Sequence, residues 1–243
     1  FIAPVEWKDD WPIINPDSKE IKYAYTANYK EVKQKGALPQ AGNFQYTLNF
    51  KKNLDPTLLF MRMIDSSAFS LSKKLGLTLK LKPETVMDFG NPSFIGKRQQ
   101  HLYSTAETSL SFSPNAEHEK AGLVVFQDES HFYYLCKSKS KDKTVIQLYK
   151  SIAKEKSMEL LAEIPVNASA KPVGLRISSA GDAYSFYCSE DFKNWKPLKE
   201  KVNGKFLSTK EAGGFIGCLY GMYAIASGEK STNSASFKYL KYS

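Results

Sequence analysis

From residue 58 onward, apolar residues either alternate with polar ones or gather into short runs, and a helical period is scarce. The pattern predicts strands over 58–63, 76–81, 102–112, 122–126, 132–136 and 145–151. It predicts more over 159–164, 173–177, 184–188, 215–222 and 235–241. Turn signals separate them: Pro83-Glu84, Asn91-Pro92, Ser113-Pro114-Asn115, Ser179-Ala180-Gly181-Asp182 and Asn203-Gly204. Many short strands with few helices predict an all-β sandwich or barrel. Residues 17–42 are polar, with Tyr23, Tyr25 and Tyr29 followed by Gly36, Pro39 and Gly42. They are expected to form a connector anchored by its tyrosines.

Residues 1–16 carry Trp7, Asp9, Asp10 and Trp11-Pro12 but neither a basic start nor a long apolar core, so they are not a signal peptide. They are expected to be the exit from a preceding domain. The alternative is an ordinary arm anchored by its two tryptophans. The division expected is an arm over 1–42 and a sandwich over 43–243.

No apolar run approaches the ~20 residues that span a bilayer, and no membrane partner is expected. The net charge of +9 raises nucleic acid as a partner. No nucleic-acid motif accompanies the lysines, among them Lys30, Lys33, Lys35, Lys51, Lys52, Lys137, Lys139, Lys141 and Lys143. They are read as solvated loops and guarded strand edges, with no nucleic-acid partner. Weak attraction to uronic-acid-decorated xylan stays open. The three cysteines, Cys136, Cys188 and Cys218, lie inside apolar runs and lack paired spacing. They are expected as buried free thiols, without a disulfide framework or a zinc site.

The densest polar chemistry is Arg98-Gln99-Gln100-His101, just before the predicted strand 102–112. Arg is a rigid donor fork and Gln both donates and accepts, so the group suits sugar hydroxyls or a polar domain contact. It continues Gly96-Lys97 and is followed by Ala106-Glu107-Thr108, Ala121-Gly122-Leu123 and His131-Phe132-Tyr133-Tyr134-Leu135. Phe186-Tyr187-Cys188-Ser189 with Trp195, Gly214-Phe215-Ile216-Gly217 and Ala235-Ser236-Phe237-Lys238-Tyr239-Leu240 complete the set. In these pieces the chain resembles the C-terminal sandwich of two-domain glycoside hydrolase family 43 enzymes, the β-xylosidases and α-L-arabinofuranosidases. The resemblance covers about residues 40–243.

The resemblance implies a two-sheet antiparallel, concanavalin A-like jelly roll. It also implies a catalytic five-bladed propeller, in the same parent chain, that carries the carboxylates and whose exit segment 1–16 is similar to. Xylo- or arabino-oligosaccharides are the implied substrate. Hydrolysis needs two carboxyl groups flanking the bond, and Glu107 is the single candidate for a buried one. It is expected in a structural ion pair with Arg98 or Arg176, so no catalytic residue is expected and this chain alone is not expected to hydrolyse anything. By its place in the Gly-Phe-x-Gly segment, Phe215 would help close the neighbouring pocket, or else be a core side chain of its strand. Arg98, Gln99, Gln100 and His101 would line the domain interface, touch substrate near the entrance, or fix the preceding loop to the next strand.

His118 and His131 have no ligand-like spacing with His101, and no metal site or cofactor is expected. Related sandwiches often hold a structural calcium, but Asn49 and Ser236 stand, uncharged, at the corresponding positions, which weakens that expectation. Polysaccharide-degrading enzymes of the resembled architecture are cytoplasmic, periplasmic or secreted, so the compartment stays open, with a periplasmic or extracellular location favoured. Ser189 to Trp195 is similar to an Asp-box hairpin without its glycine, and is expected as a turn with Trp195 packed beneath. Tyr133, Tyr134, Tyr220 and Tyr223 are either core or sugar-stacking platforms. The competing reading is a stand-alone lectin-like module binding plant polysaccharide. A sandwich enzyme ranks last, because no Glu-x-Asp-x-Glu strand is present.

Overall fold

The computed structural model describes residues 2–26, 42–167 and 171–243. The chain divides into two compact units, Phe1–Pro39 and Gln40–Ser243. The first contains a hairpin of β1 (Val5–Lys8) and β2 (Trp11–Ile14), with Trp7 opposite Pro12 and Lys8 opposite Trp11. Asp9 and Asp10 both take left-handed φ, 50° and 64°, as a two-residue hairpin turn matched to strand twist requires. Trp7, Trp11 and Tyr23 are exposed. The Tyr25 hydroxyl accepts the Lys22 N–H at 2.9 Å. Tyr29, Gly36 and Pro39 lie outside the described residues.

The second unit is a two-sheet antiparallel sandwich. Its strands are β3 (Tyr46–Asn49), β4 (Leu59–Phe60), β5 (Phe69–Ser72), β6 (Gly76–Lys80), β7 (Ser93–Arg98), β8 (Tyr103–Ser111), β9 (Lys120–Asp128) and β10 (His131–Ser140). They continue as β11 (Lys143–Ile152), β12 (Ser157–Pro165), β13 (Val173–Ala180), β14 (Ala183–Ser189), β15 (Lys196–Asn203), β16 (Leu219–Ile225) and β17 (Ser234–Tyr242). A 3₁₀ turn, Gly204–Leu207, and a short helix α1, Thr209–Ala212, precede β16. One sheet runs β12-β11-β10-β9-β16-β7-β4; the other runs β15-β14-β13-β8-β17-β6-β5, with β3 also pairing β17.

The sequence pattern places most of these strands, with two informative departures. Ser93–Arg98 is itself a strand, so the Arg-Gln-Gln-His group sits at a strand end and not only before the next strand. The expected strand 215–222 begins only at Leu219, because Gly213, Gly214 and Gly217 hold positive φ and release Phe215 and Ile216 from any ladder.

The core lies between the sheets, where Tyr133 of β10 meets Phe186 of β14 at 5.8 Å between centroids. A second apolar layer covers the other face of the seven-stranded sheet. There Phe94, Val124, Tyr134 and Tyr223 pack under Val86, whose N–H donates to the Tyr223 hydroxyl at 3.1 Å. That layer explains why β9 and β10 read as continuous apolar runs: both of their faces are buried.

Buried Glu119 ties two loops, its own and the one before β17. It accepts the Asn115 N–H at 2.8 Å, the Ser231 hydroxyl at 2.6 Å and the Asn233 amide at 2.8 Å. Burial pushes its carboxyl up, but these bonds and nearby His118 outweigh that and hold it below the ordinary value. A lowered folded value stabilises the fold above the unfolded-state pKa, and that contribution is lost as pH falls through the folded value. Glu119→Gln is therefore expected to lower stability at pH 7 and to reduce its further drop on acidification. Urea midpoints at pH 7 and pH 3 for both proteins measure this. Equal acid sensitivity would refute it.

Candidate functional site

Strand β7 belongs to one sheet and β8 to the other, so the connector Gln99 to Leu102 crosses the mouth of the sandwich. A crossing backbone has no ladder to satisfy it and needs side chains to do so. The Gln99 N–H donates to the Cys218 carbonyl at 2.9 Å. The Gln99 side chain donates to the His101 carbonyl at 2.9 Å and to Ser179 Oγ at 3.2 Å, and accepts the Tyr184 hydroxyl at 2.6 Å. The Gln100 N–H donates to the Tyr242 hydroxyl at 3.0 Å.

His101 completes the clasp. Its Nε2 faces the Gly42 carbonyl at 3.0 Å, which can only accept, so Nε2 carries the proton of the neutral ring. Nδ1 then accepts from the Tyr242 hydroxyl at 2.8 Å. The ring also packs edge-on against Phe44 at 4.8 Å between centroids. Gln99 and His101 are thus engaged by the fold itself.

Tyr242→Phe removes the partner of both the Gln100 N–H and His101 Nδ1. The expected loss is about 1–2 kcal/mol of stability, the cost of leaving partly buried polar groups unpaired. Chemical denaturation of the two proteins checks it, and an unchanged unfolding midpoint would rule the clasp out as a stabiliser.

Arg98 is different. It is exposed at the end of β7 and its Nη1 donates to the Ile216 carbonyl. It thereby holds the loop whose tip carries Phe215, 97% exposed, and Ile216, 55% exposed. Phe215 is therefore not a core side chain of its strand. Leu102 and Tyr103, at the end of the crossing connector, are also exposed. Beside the clasp lies a cavity of about 620 Å³, lined in part by Gln99, His101, Leu102, Tyr184, Leu207 and Cys218. The structure brings Arg98, Gln99, Gln100 and His101 together with this loop at one end of the sandwich.

Other expectations resolve individually. Glu107 accepts two bonds from Arg176, at 3.1 and 2.8 Å, and one from the Tyr239 hydroxyl at 3.0 Å. Its ion-pair partner is Arg176, not Arg98. The Arg176 guanidinium lies 3.7 Å from the centroid of the Trp195 ring. In the Ser189 to Trp195 turn, Asp191 Oδ1 accepts the backbone N–H groups of Lys193 and Asn194 at 2.9 and 2.7 Å. Tyr133, Tyr134, Tyr220 and Tyr223 are all buried and are core, not sugar platforms. Cys136, Cys188 and Cys218 are free, with Cys218 only partly buried. The Ser236 hydroxyl is engaged by Thr78 Oγ1 at 2.8 Å, and Asn49 pairs with Tyr239 at the edge strand β3.

Lys137, grouped by sequence with solvated lysines, is 3% exposed. Alternation could have found it: Tyr133, Leu135 and Lys137 share the inward face of β10.

The pattern that defines the β-xylosidase C-terminal concanavalin A-like domain matches residues 48–243. This chain belongs to that family. A xylosidase/arabinosidase of Butyrivibrio fibrisolvens is 30% identical over 99% of the chain and 45% of its own length. A non-reducing end α-L-arabinofuranosidase of Bacteroides ovatus is 30% identical over 100% of the chain and 44% of its own length. The family domain thus spans less than half the length of these curated relatives. Among solved structures, the Bacteroides ovatus xyloglucan-locus GH43B superposes with a TM-score of 0.78 at 27% identity, over 100% of this chain and 46% of that one. A xylan β-1,4-xylosidase from Bacillus halodurans C-125 reaches 0.80 at 22% identity, over 99% and 46%, and shares the fold.

Proposed function

We propose that this domain is the non-catalytic accessory half of a two-domain glycosidase acting on xylo- or arabino-oligosaccharides. It packs on a catalytic propeller of the same parent chain, and its Phe215 loop helps close the propeller's active site. The observation that carries this reading is the 97% exposed Phe215 on a loop braced by Arg98. An apolar ring held out in water by a positioned bracket gains stabilisation only when a partner covers it. Ile216 beside it in the loop, and Leu102 and Tyr103 at the end of the connector, are exposed apolar side chains as well. Gln99 and His101 serve this function indirectly, by fixing the connector from which that surface rises. The lectin-like reading lacks support from the aromatics that suggested it, since Tyr133, Tyr134, Tyr220 and Tyr223 are buried.

The test is the intact mass of the native gene product together with its activity on xylo-oligosaccharides. A mass about twice the 27.4 kDa of this chain, with hydrolytic activity, is expected. A mass equal to this chain would overturn the reading.

A further inference from the structure

The far end of the sandwich from the Phe215 loop holds a second feature. Strand β13 spans the domain: its Val173 end lines one cavity, while Gly181, just past its Ala180 end, lines the cavity beside the clasp. The Val173 cavity has a volume of about 510 Å³ and is lined by Lys137, Asn167, Lys171, Pro172, Val173 and Glu190, among others. That is room for a monosaccharide-sized ligand.

Lys137 is the unusual member. It lies on the inward face of β10, between Ala121 of β9 and Ile146 of β11, and is 3% exposed. A lysine this buried is ordinarily paired, yet its ammonium has no hydrogen-bond or ion-pair partner among the described residues. The acid that shares the cavity, Glu190, is committed elsewhere: it accepts the Asn167 N–H at 3.2 Å and lies 3.8 Å from Lys196 Nζ. Burial lowers the Lys137 pKa, the cost of an ammonium without a counter-charge, and Glu190 only partly offsets it. Exposed Lys171 adds a second ammonium at the rim.

We propose that this cavity binds a sugar acid, with its carboxylate on Lys137 and its hydroxyls toward Asn167 and Glu190. A charged group at the base selects a carboxylate. The remaining lining offers an amide that donates and accepts and a carboxylate that accepts, which suits hydroxyls. The volume exceeds what a small inorganic anion fills. The site lies away from the Phe215 end and is independent of how that end is used.

Isothermal titration calorimetry of the chain with sodium D-glucuronate tests this. D-glucose serves as the uncharged counterpart and inorganic phosphate as a bare anion. Expected are saturable glucuronate binding, at least tenfold weaker binding of glucose and phosphate, and at least tenfold loss in Lys137→Met. Because residue 137 is in the core, Lys171→Ala at the exposed rim is measured as well, and a threefold or greater weakening is expected without a change in melting temperature. The proposal is overturned if glucuronate does not saturate a site, if glucose or phosphate binds equally well, or if Lys171→Ala and a folded Lys137→Met leave the affinity unchanged.

Discussion

Phe215→Ala in the proposed two-domain glycosidase is expected to lower kcat/KM on xylo-oligosaccharides by about tenfold or more, and in this chain alone to leave the melting temperature unchanged. The two halves of this expectation have separate causes. The ring makes almost no packing contact within the domain, since it is 97% exposed, so its removal costs the fold nothing. Against a catalytic pocket the same ring would exclude water and stiffen the sugar subsites. Truncating a central aromatic anchor typically costs about 2 kcal/mol or more, which is about thirtyfold in a rate or affinity ratio. Phe215→Leu, which keeps an apolar cover, should retain most of the activity. Steady-state kinetics on the two-domain protein and a melting curve of this chain alone decide it. Wild-type kinetics in Phe215→Ala would remove the pocket-closing role, and a lower melting temperature would mean the ring packs within this domain.

Gly122→Ala is expected to destabilise the fold by about 3 kcal/mol or more. Gly122 sits in β9, paired with Cys136 of β10 and Tyr223 of β16, in the middle of the seven-stranded sheet. A Cβ there would fall on the Leu135 carbonyl oxygen and come within 2.7 Å of Cys136 Cα. Both obstacles are backbone atoms, so no rotamer change relieves the clash and the strands must separate. Overpacking of a close-packed interior costs about 1–3 kcal/mol even where side chains give way, so about 3 kcal/mol or more is expected here. For a domain of this size that corresponds to a fall of about 6–12 °C in melting temperature. Calorimetry measures it. A variant melting within a degree or two of the parent would show that β9 and β10 tolerate displacement.

The crossing connector shows how legible the candidate site was. Arg98, Gln99, Gln100 and His101 stood out in the sequence because consecutive polar side chains at a strand boundary need partners. Their partners did not stand out. Tyr184, Ser179 and Tyr242 lie 80 to 142 residues away from Gln99 and Gln100 and occur in strands that resemble any other aromatic or serine-containing run. The ion pair of Glu107 was anticipated with two candidate cations, and register alone chose between them: Arg176 lies directly opposite Glu107 across the β8–β13 ladder, whereas Arg98 is in the other sheet.

Lys137 and Phe215 mark two limits of local pattern. Lys137 was grouped with solvated lysines and is buried, while for Phe215 a pocket-closing and a core role were both open and its exposure removes the core one. For Lys137, parity along β10 carried the information but not the depth, which depends on the second sheet lying over it. For Phe215, the glycines signalled a break, and only the loop's path, held by Arg98, leaves the ring in water.

By itself the sequence determined the class of the fold, most strand positions, the unpaired cysteines and the family, because these follow from local alternation, turn chemistry and short motifs. The tertiary structure decided which polar residues are spent on holding the sheets together, which lysine is buried beside a cavity, and which aromatic faces outward. Those outcomes depend on contacts between strands far apart in the chain, and on sheets burying one another, which no local pattern encodes.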